Sequence, residues 1–169
     1  MEKINFLWKT YDNILTLIRF SDTKASTVLA TDGILTGLLF SNFTSNRSVS
    51  MIGQPYGVFL SITLISLAVS AVFSAISLSP SSKSSGRDSL IYFNDVMHEY
   101  KNSNDFRNAI KESLSNLDGL SDQLANQIWV VSKIARRKSL LVKISIPALV
   151  AGIILSISMV ITYPNSAQF

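Results

Sequence analysis

The chain has 169 residues, of which 47% are hydrophobic and 15% charged, and it carries a net charge of +4 at pH 7. Soluble domains usually contain about a quarter of charged residues, so this composition is typical of a small membrane protein and excludes most soluble enzymes. The chain has no cysteine and a single histidine, which excludes disulfides, a cysteine nucleophile and multi-histidine metal sites. No phosphate-binding loop, serine-hydrolase motif or pair of catalytic carboxylates is recognisable, so we expect no enzymatic activity, cofactor or metal.

The predicted elements begin with a cytosolic amphipathic helix over residues 1–24, where apolar side chains recur at helical spacing. A first apolar segment covers 25–41 and is followed by a loop at 42–55. Further apolar segments cover 56–79 and 144–163. Because about 20 mostly apolar residues cross a bilayer, we predict an all-α membrane protein with three transmembrane helices.

A helical region at 80–143 separates the second and third apolar segments. Its spacing of apolar residues predicts a short helix over 105–117, ended by Asp118 and Gly119. From Ser121 a long helix is expected to continue into the third apolar segment, because no proline or glycine interrupts it before the membrane.

The distribution of Lys and Arg predicts the orientation of the chain. Four of these residues lie in 1–24, one in 42–55, ten in 80–143 and none in 164–169. Cytoplasmic segments next to a membrane are enriched in Lys and Arg. We therefore expect the N-terminus and the 80–143 region in the cytoplasm, and the 42–55 loop and the tail 164–169 in the periplasm of a bacterium.

Small residues mark one face of each apolar segment. In membranes such faces let helices approach closely, so we expect them to pack, either within one chain or between copies. The faces are formed by Ala30, Gly33, Gly37 and Ser41 in the first segment, by Ser66, Ser70 and Ser74 in the second, and by Ala148, Gly152 and Ser156 in the third.

Asp32 interrupts the first apolar segment, where a charged carboxylate costs a few kcal/mol. One interpretation makes it a pore or gating residue. The other makes it a protonated or hydrogen-bonded carboxyl near the membrane surface.

Basic residues gather where the long helix meets the membrane. They can anchor the helix at anionic headgroups, or form a phosphate site to which Arg contributes bidentate contacts. The cluster consists of Lys133, Arg136, Arg137, Lys138 and Lys143.

Two motifs flank the membrane segments. Asp22-Thr23-Lys24-Ala25-Ser26 leads into the first segment, and residues 124–138, with the sequence LANQIWVVSKIARRK, lead into the last. The stretch 90–94, with the sequence LIYFN, lies between them. In this combination the chain resembles, over nearly its whole length, the transmembrane effectors of the Pycsar anti-phage systems.

The resemblance implies an effector of antiviral defence. In that family a partner pyrimidine cyclase makes cyclic CMP or cyclic UMP, and the effector responds by impairing the bacterial inner membrane, which causes growth arrest or abortive infection. We expect cyclic CMP in preference to cyclic UMP. The expected partners are the lipid bilayer, further copies of the chain in a homo-oligomer and, functionally, the cyclase, with no nucleic-acid polymer.

The resemblance also implies candidate site residues. Arg136 or Lys138 would hold the cyclic phosphate, Gln127 or Asn94 would meet the pyrimidine edge, and Tyr92 or Trp129 would stack on the base. Lys133 belongs to the same nucleotide-binding set. Asp22 and Lys24 match the first motif, and the hypothesis for them is a salt bridge that would lock the first segment to the long helix. Asp32 is a candidate for gating. For all of the motif residues the alternative is helix packing at the membrane surface.

Two other functions stay open at this point. One is a ligand-independent pore-forming or holin-like toxin, and the other is a membrane adaptor that recruits a protein partner.

Overall fold

The computed structural model describes residues 2–44, 55–80, 96 and 100–162. This part of the chain contains four α-helices and no strand, so the predicted all-α fold class is confirmed. The helices are α1 (Glu2–Thr44), α2 (Pro55–Leu78), α3 (Ser103–Ser115) and α4 (Leu117–Thr162).

The chain divides into two compact units. The polar unit consists of Met1–Phe20 and Pro80–Arg137, and the apolar unit consists of Ser21–Ser79 and Lys138–Phe169. Helices α1 and α4, of 43 and 46 residues, contribute to both. At 1.5 Å per residue they are about 65 and about 69 Å long, roughly twice the ~30 Å of a hydrocarbon core. Only part of each helix can therefore lie inside a bilayer.

Helix α3 of the polar unit begins at an asparagine cap. The side-chain oxygen of Asn102 accepts hydrogen bonds from the backbone N–H groups of Asn104 and Asp105, at 3.0 and 2.9 Å. These bonds satisfy two of the backbone donors that the start of a helix leaves without partners. The cap explains why the helix starts at this point of the chain.

The boundary between α3 and α4 differs from the prediction. Helix α3 ends at Ser115 and α4 begins at Leu117, so the helices neither end at Gly119 nor restart at Ser121. The reason is Asn116, whose Oδ1 accepts a 3.0 Å hydrogen bond from the N–H of Gly119. This bond caps the first turn of α4 and keeps the glycine inside the helix.

Three helices form the core of the apolar unit. Ser77 of α2 and Asp22 of α1 both contact Lys138 of α4 at one level, and Ser66 of α2 contacts Ala148 further along α4. These contacts make α2 antiparallel to α4. Leu39 of α1 lines a common cavity with α4 residues beyond Ala148, so α1 runs parallel to α4. The buried apolar cluster contains Val28, Leu39, Tyr56, Leu60, Leu67, Leu149 and Met159.

The outer surface of the apolar unit is hydrophobic and its interior contains many polar side chains. Exposed residues include Ile34 on α1, Ile65 on α2 and Ile161 on α4. A set that we call the buried seam lies inside, and it consists of Asp32, Thr63, Ser70, Ser74 and Ser77. Apolar side chains outside and hydrogen-bonding side chains inside are what a lipid environment favours.

The small-residue faces of α2 and α4 pack against each other within the chain. The hydroxyl of Ser66 donates a 2.8 Å hydrogen bond to the carbonyl of Ala148. A Cβ atom on Gly152 would lie 2.6 Å from Cδ2 of Leu67. Glycine at this position therefore allows the two helices to approach closely.

The small-residue face of α1 lies on the surface. Ala30, Gly33, Gly37 and Ser41 are all exposed, and a Cβ atom added to either glycine would meet nothing within 4 Å. Of the alternatives left open by the sequence, packing within the chain therefore applies to the faces of α2 and α4. The face of α1 is accessible.

Two of the described helices are long and apolar enough to cross a membrane. The candidate spans are Tyr56–Leu78 and the helix Leu117–Thr162, which agree with the second and third predicted segments. The 25–41 part of α1 does not meet the same criterion, since Asp32 and several threonines lower its hydropathy.

Candidate functional site

An exposed aromatic and basic face lies on α4 in the polar unit. Trp129, Lys133 and Arg136 follow one another at spacings of four and three residues, which places them on one side of the helix. The Trp129 side chain is 58% exposed, and Nζ of Lys133 lies 4.5 Å from the centre of its ring. We call these three residues the α4 basic face.

The α4 basic face has the chemistry of an anion-binding surface with an aromatic platform. The indole ring offers a flat surface for stacking, and the ring quadrupole attracts the Lys133 ammonium. The Arg136 guanidinium is exposed and can form a bidentate contact with a phosphate. Three of the sequence-predicted candidates are therefore brought together on one helix face.

Gln127 lies on the opposite side of α4. Its side chain is fully buried, together with Leu124 and Val131 at the same helical phase. Gln127 and Trp129 are two positions apart, so their side chains leave the helix axis in directions about 200° apart. A base stacked on Trp129 is therefore out of reach of the Gln127 amide in this conformation.

Lys138 belongs to the apolar unit and is already paired. Its Nζ donates a 2.5 Å hydrogen bond to Oδ1 of Asp22, and the two side chains are 11% and 36% exposed. Its backbone carbonyl lies 3.5 Å from the hydroxyl of Ser77. In the described conformation Lys138 holds α1 and α4 together. Unlike the exposed side chains of Lys133 and Arg136, it is nearly buried.

The remaining candidates fall in different places. Lys24 is exposed on α1, two residues beyond the ion pair. The stacking candidate Tyr92 and the amide candidate Asn94 lie outside the described residues, as does the rest of the stretch 90–94.

Asp32 is buried inside the apolar unit with only 2% of its surface exposed. Its Oδ2 accepts a 2.8 Å hydrogen bond from the hydroxyl of Ser70. The sequence singles out Asp32 as a charged residue in an apolar segment and Ser70 as part of a small-residue face, but it does not indicate that the two are hydrogen-bonded. Their 38-residue separation carries no local signal for the pairing.

The described residues contain no cluster of three or more acidic, histidine or cysteine side chains that could hold a metal ion. The arrangement on α4 can bind an anion and stack on a ring. These residues lie on a helix that also contains one of the two candidate membrane spans, so the class of protein indicated is a helical membrane-associated protein.

The chain matches the model of a known protein family. Residues 6–164 match the Pycsar effector protein domain, and the chain therefore belongs to the Pycsar effector family. No curated protein and no solved structure matches the chain.

Family membership supports a role as an effector of anti-phage defence, functionally coupled to a cyclase. The family is one of effectors and not of known enzymes. Together with the two apolar helices, membership indicates a membrane location.

Proposed function

We propose that this protein is an inner-membrane effector that responds to a cyclic pyrimidine mononucleotide and then impairs the membrane, which stops growth before a phage matures. Cyclic CMP is the first ligand to test and cyclic UMP the second. The observation that carries the proposal is the match of residues 6–164 to the Pycsar effector domain in a chain whose apolar unit is hydrophobic outside and polar inside.

We place three crossings in the bilayer, with the N-terminus in the cytoplasm and the C-terminus in the periplasm. The antiparallel orientation of α2 relative to α1 and α4 supports a chain that leaves the cytoplasm through α1, returns through α2 and leaves again through α4. Exposed Ile34, Leu38 and Phe40 support the α1 crossing, because they would otherwise face water. The Lys and Arg distribution supports the orientation.

The nucleotide is assigned to the α4 basic face. Trp129 stacks on the pyrimidine, while Arg136 and Lys133 contact the cyclic phosphate. The exposure of these side chains and their common helix face support this assignment. The cyclic phosphate carries a single negative charge, which two cations can neutralise, and the indole ring adds a stacking contact.

The response is transmitted along α4, which is one helix from Leu117 to Thr162. A ligand shifts a conformational equilibrium only if it binds one state more tightly than the other, so the nucleotide must prefer the membrane-damaging state. Several copies act together through the accessible small-residue face of α1, where Gly33 and Gly37 form the four-residue spacing common at helix contacts in membranes.

The test is dye entry into cells that express the chain, with and without a cyclase or added cyclic nucleotide. Dye entry that depends on one nucleotide supports the proposal. Arg136→Glu should raise the half-maximal nucleotide concentration about tenfold or more, since hydrogen bonds to charged groups contribute about 1.5–3 kcal/mol. Arg107→Glu on α3 is the matched control, with the same charge change at an exposed site of the same unit.

Three outcomes contradict the proposal in different ways. Dye entry without any nucleotide would identify a constitutive toxin. A stable protein complex with no dye entry would identify an adaptor. An unchanged nucleotide response in Arg136→Glu would remove the phosphate from the α4 basic face and leave the membrane function standing.

A further inference from the structure

The buried seam contains a carboxylate whose hydrogen bonding is incomplete. Oδ2 of Asp32 accepts the 2.8 Å bond from Ser70, but Oδ1 has no hydrogen-bond partner among the described residues. The whole residue is 2% exposed, so bulk water does not supply the missing partner. Buried polar atoms in proteins are nearly always paired, and an exception requires a physical explanation.

A second atom of the buried seam has the same deficiency. Ser74 is fully buried, and its Oγ has no hydrogen-bond partner in the part of the chain that the structure describes. Most of the other serines and threonines of the apolar unit with a described bond donate to a carbonyl of the preceding helical turn, as Thr63 does. Ser74 lies one turn, about 6 Å, along α2 from Ser70, on the same buried side of the helix.

Charge balance identifies the missing component. An ionised carboxylate taken out of water requires a nearby positive charge or a set of hydrogen-bond donors. Asp32 forms no ion pair with any described residue, and the nearly buried Lys138 is engaged by Asp22. An ionised Asp32 therefore has one donor, the Ser70 hydroxyl, at Oδ2. Its Oδ1 and, one turn further along α2, Oγ of Ser74 have lone pairs available.

We propose that Asp32, Ser70 and Ser74 bind a monovalent cation, Na⁺ or K⁺, inside the apolar unit. Oδ1 of Asp32 supplies the charge, and the two hydroxyl oxygens supply neutral ligands. A proton on Asp32 would cancel the charge but would leave Oγ of Ser74 without a partner. A divalent ion fits less well, because it is commonly held by more than one carboxylate and Asp32 is the only one in the buried seam.

The test requires neither nucleotide nor membrane leakage, so its failure would leave the proposed function unaffected. The Tm of the full chain in detergent micelles is measured in NaCl, KCl and N-methylglucamine chloride at equal ionic strength. A ligand that binds only the folded protein raises Tm as its concentration rises. We expect a rise with Na⁺ or K⁺ that is absent with N-methylglucamine.

Substitutions decide whether the effect arises in the buried seam. Asp32→Asn should lose the response to Na⁺ or K⁺, while Asp12→Asn, at an exposed site of α1, should keep it. In N-methylglucamine chloride, Ser74→Ala should have the same Tm as the wild type, because the hydroxyl has no hydrogen bond to lose. In NaCl or KCl it should need an about fivefold higher cation concentration to reach half of the full rise in Tm. This contrast distinguishes a ligand from a merely structural serine.

The proposal is overturned if the wild-type Tm is the same in all three salts, which would mean that water or a proton satisfies Asp32. It is also overturned if Asp32→Asn keeps the cation response. If Asp32→Asn does not fold, Ser74→Ala decides, and an unchanged cation requirement in that variant refutes the site.

Discussion

Replacing Gly152 by alanine tests the packing of α2 against α4 most sharply. The new methyl group would lie 2.6 Å from Cδ2 and 3.0 Å from Cγ of Leu67. Leu67 is 1% exposed and belongs to the buried apolar cluster, so it can move only against other buried side chains. Overpacking of this kind costs about 1–3 kcal/mol, and the better helix propensity of alanine returns at most ~1 kcal/mol. We expect a net loss of about 1–2 kcal/mol in the free energy of unfolding.

A double-mutant cycle separates this clash from a general effect of the substitution. Leu67→Ala alone should cost about 2–5 kcal/mol, because it leaves a cavity in the core. Combined with Gly152→Ala it removes the clashing atoms, so the double variant should lose about 1–3 kcal/mol less than the sum of the two single losses. Equilibrium unfolding in mixed detergent micelles, followed by circular dichroism, measures all three values.

Gly37→Ala is the matched control, because a Cβ atom at that position meets nothing within 4 Å. In micelles that hold one chain each, so that no contact between copies is tested, it should change the free energy of unfolding by no more than about 0.5 kcal/mol. The reasoning is refuted if Gly152→Ala unfolds at the same point as the wild type, or if the losses in the double variant are simply additive.

Three further predictions concern two contacts inside the apolar unit and the exposed tryptophan of the polar unit. Asp22→Asn leaves the Lys138 ammonium without its carboxylate and should lower the free energy of unfolding by about 1–3 kcal/mol. The loss is smaller than for a fully buried ion pair, because the Asp22 side chain is 36% exposed and water screens the charge. Ser66→Ala removes the hydrogen bond to the Ala148 carbonyl and should cost about 0.6–1.7 kcal/mol in the same micelle assay. Trp129→Ala removes the stacking surface and should weaken the binding of cyclic CMP or cyclic UMP about 5- to 150-fold by calorimetry, with the fold intact by circular dichroism.

The predictions for Asp22→Asn and Ser66→Ala each have a control at an exposed site. Asp12→Asn removes a carboxylate from the surface of α1 and should leave stability unchanged. Ser61→Ala removes a hydroxyl that bonds only to its own helix, at the carbonyl of Gly57, and should cost less than Ser66→Ala. Equal losses in a variant and its control would contradict the assigned contact. Unchanged nucleotide affinity in Trp129→Ala would exclude stacking on the α4 basic face.

The two most apolar helices were predictable because hydropathy is a local property of the sequence. The structure has α2 at Pro55–Leu78, within a residue of the predicted 56–79. The third segment was likewise predicted at 144–163, and α4 is described to Thr162. The α3–α4 boundary was misplaced because glycine usually marks a helix end, whereas here the side chain of Asn116 caps the next helix.

Pairings between distant residues could not be predicted from one sequence. Small residues on α1 and on α4 have the same spacing, yet Gly152 packs against Leu67 while Gly33 faces outward. The pairing of Asp22 with Lys138 spans 116 residues, and no pattern of spacing distinguishes Lys138 from Arg136 as its partner. Helical phase alone does indicate that Gln127 and Trp129 lie on different faces.

The central claim is that a cyclic pyrimidine nucleotide acting on this chain alone makes a membrane leak. The most direct measurement uses the purified chain in sealed lipid vesicles filled with a fluorescent dye, to which cyclic CMP, cyclic UMP or linear 5′-CMP is added. The account predicts dye release with one or both cyclic nucleotides, none with 5′-CMP, and a higher nucleotide requirement for Arg136→Glu than for Arg107→Glu. Equal release without nucleotide, or none with either cyclic nucleotide, would contradict it.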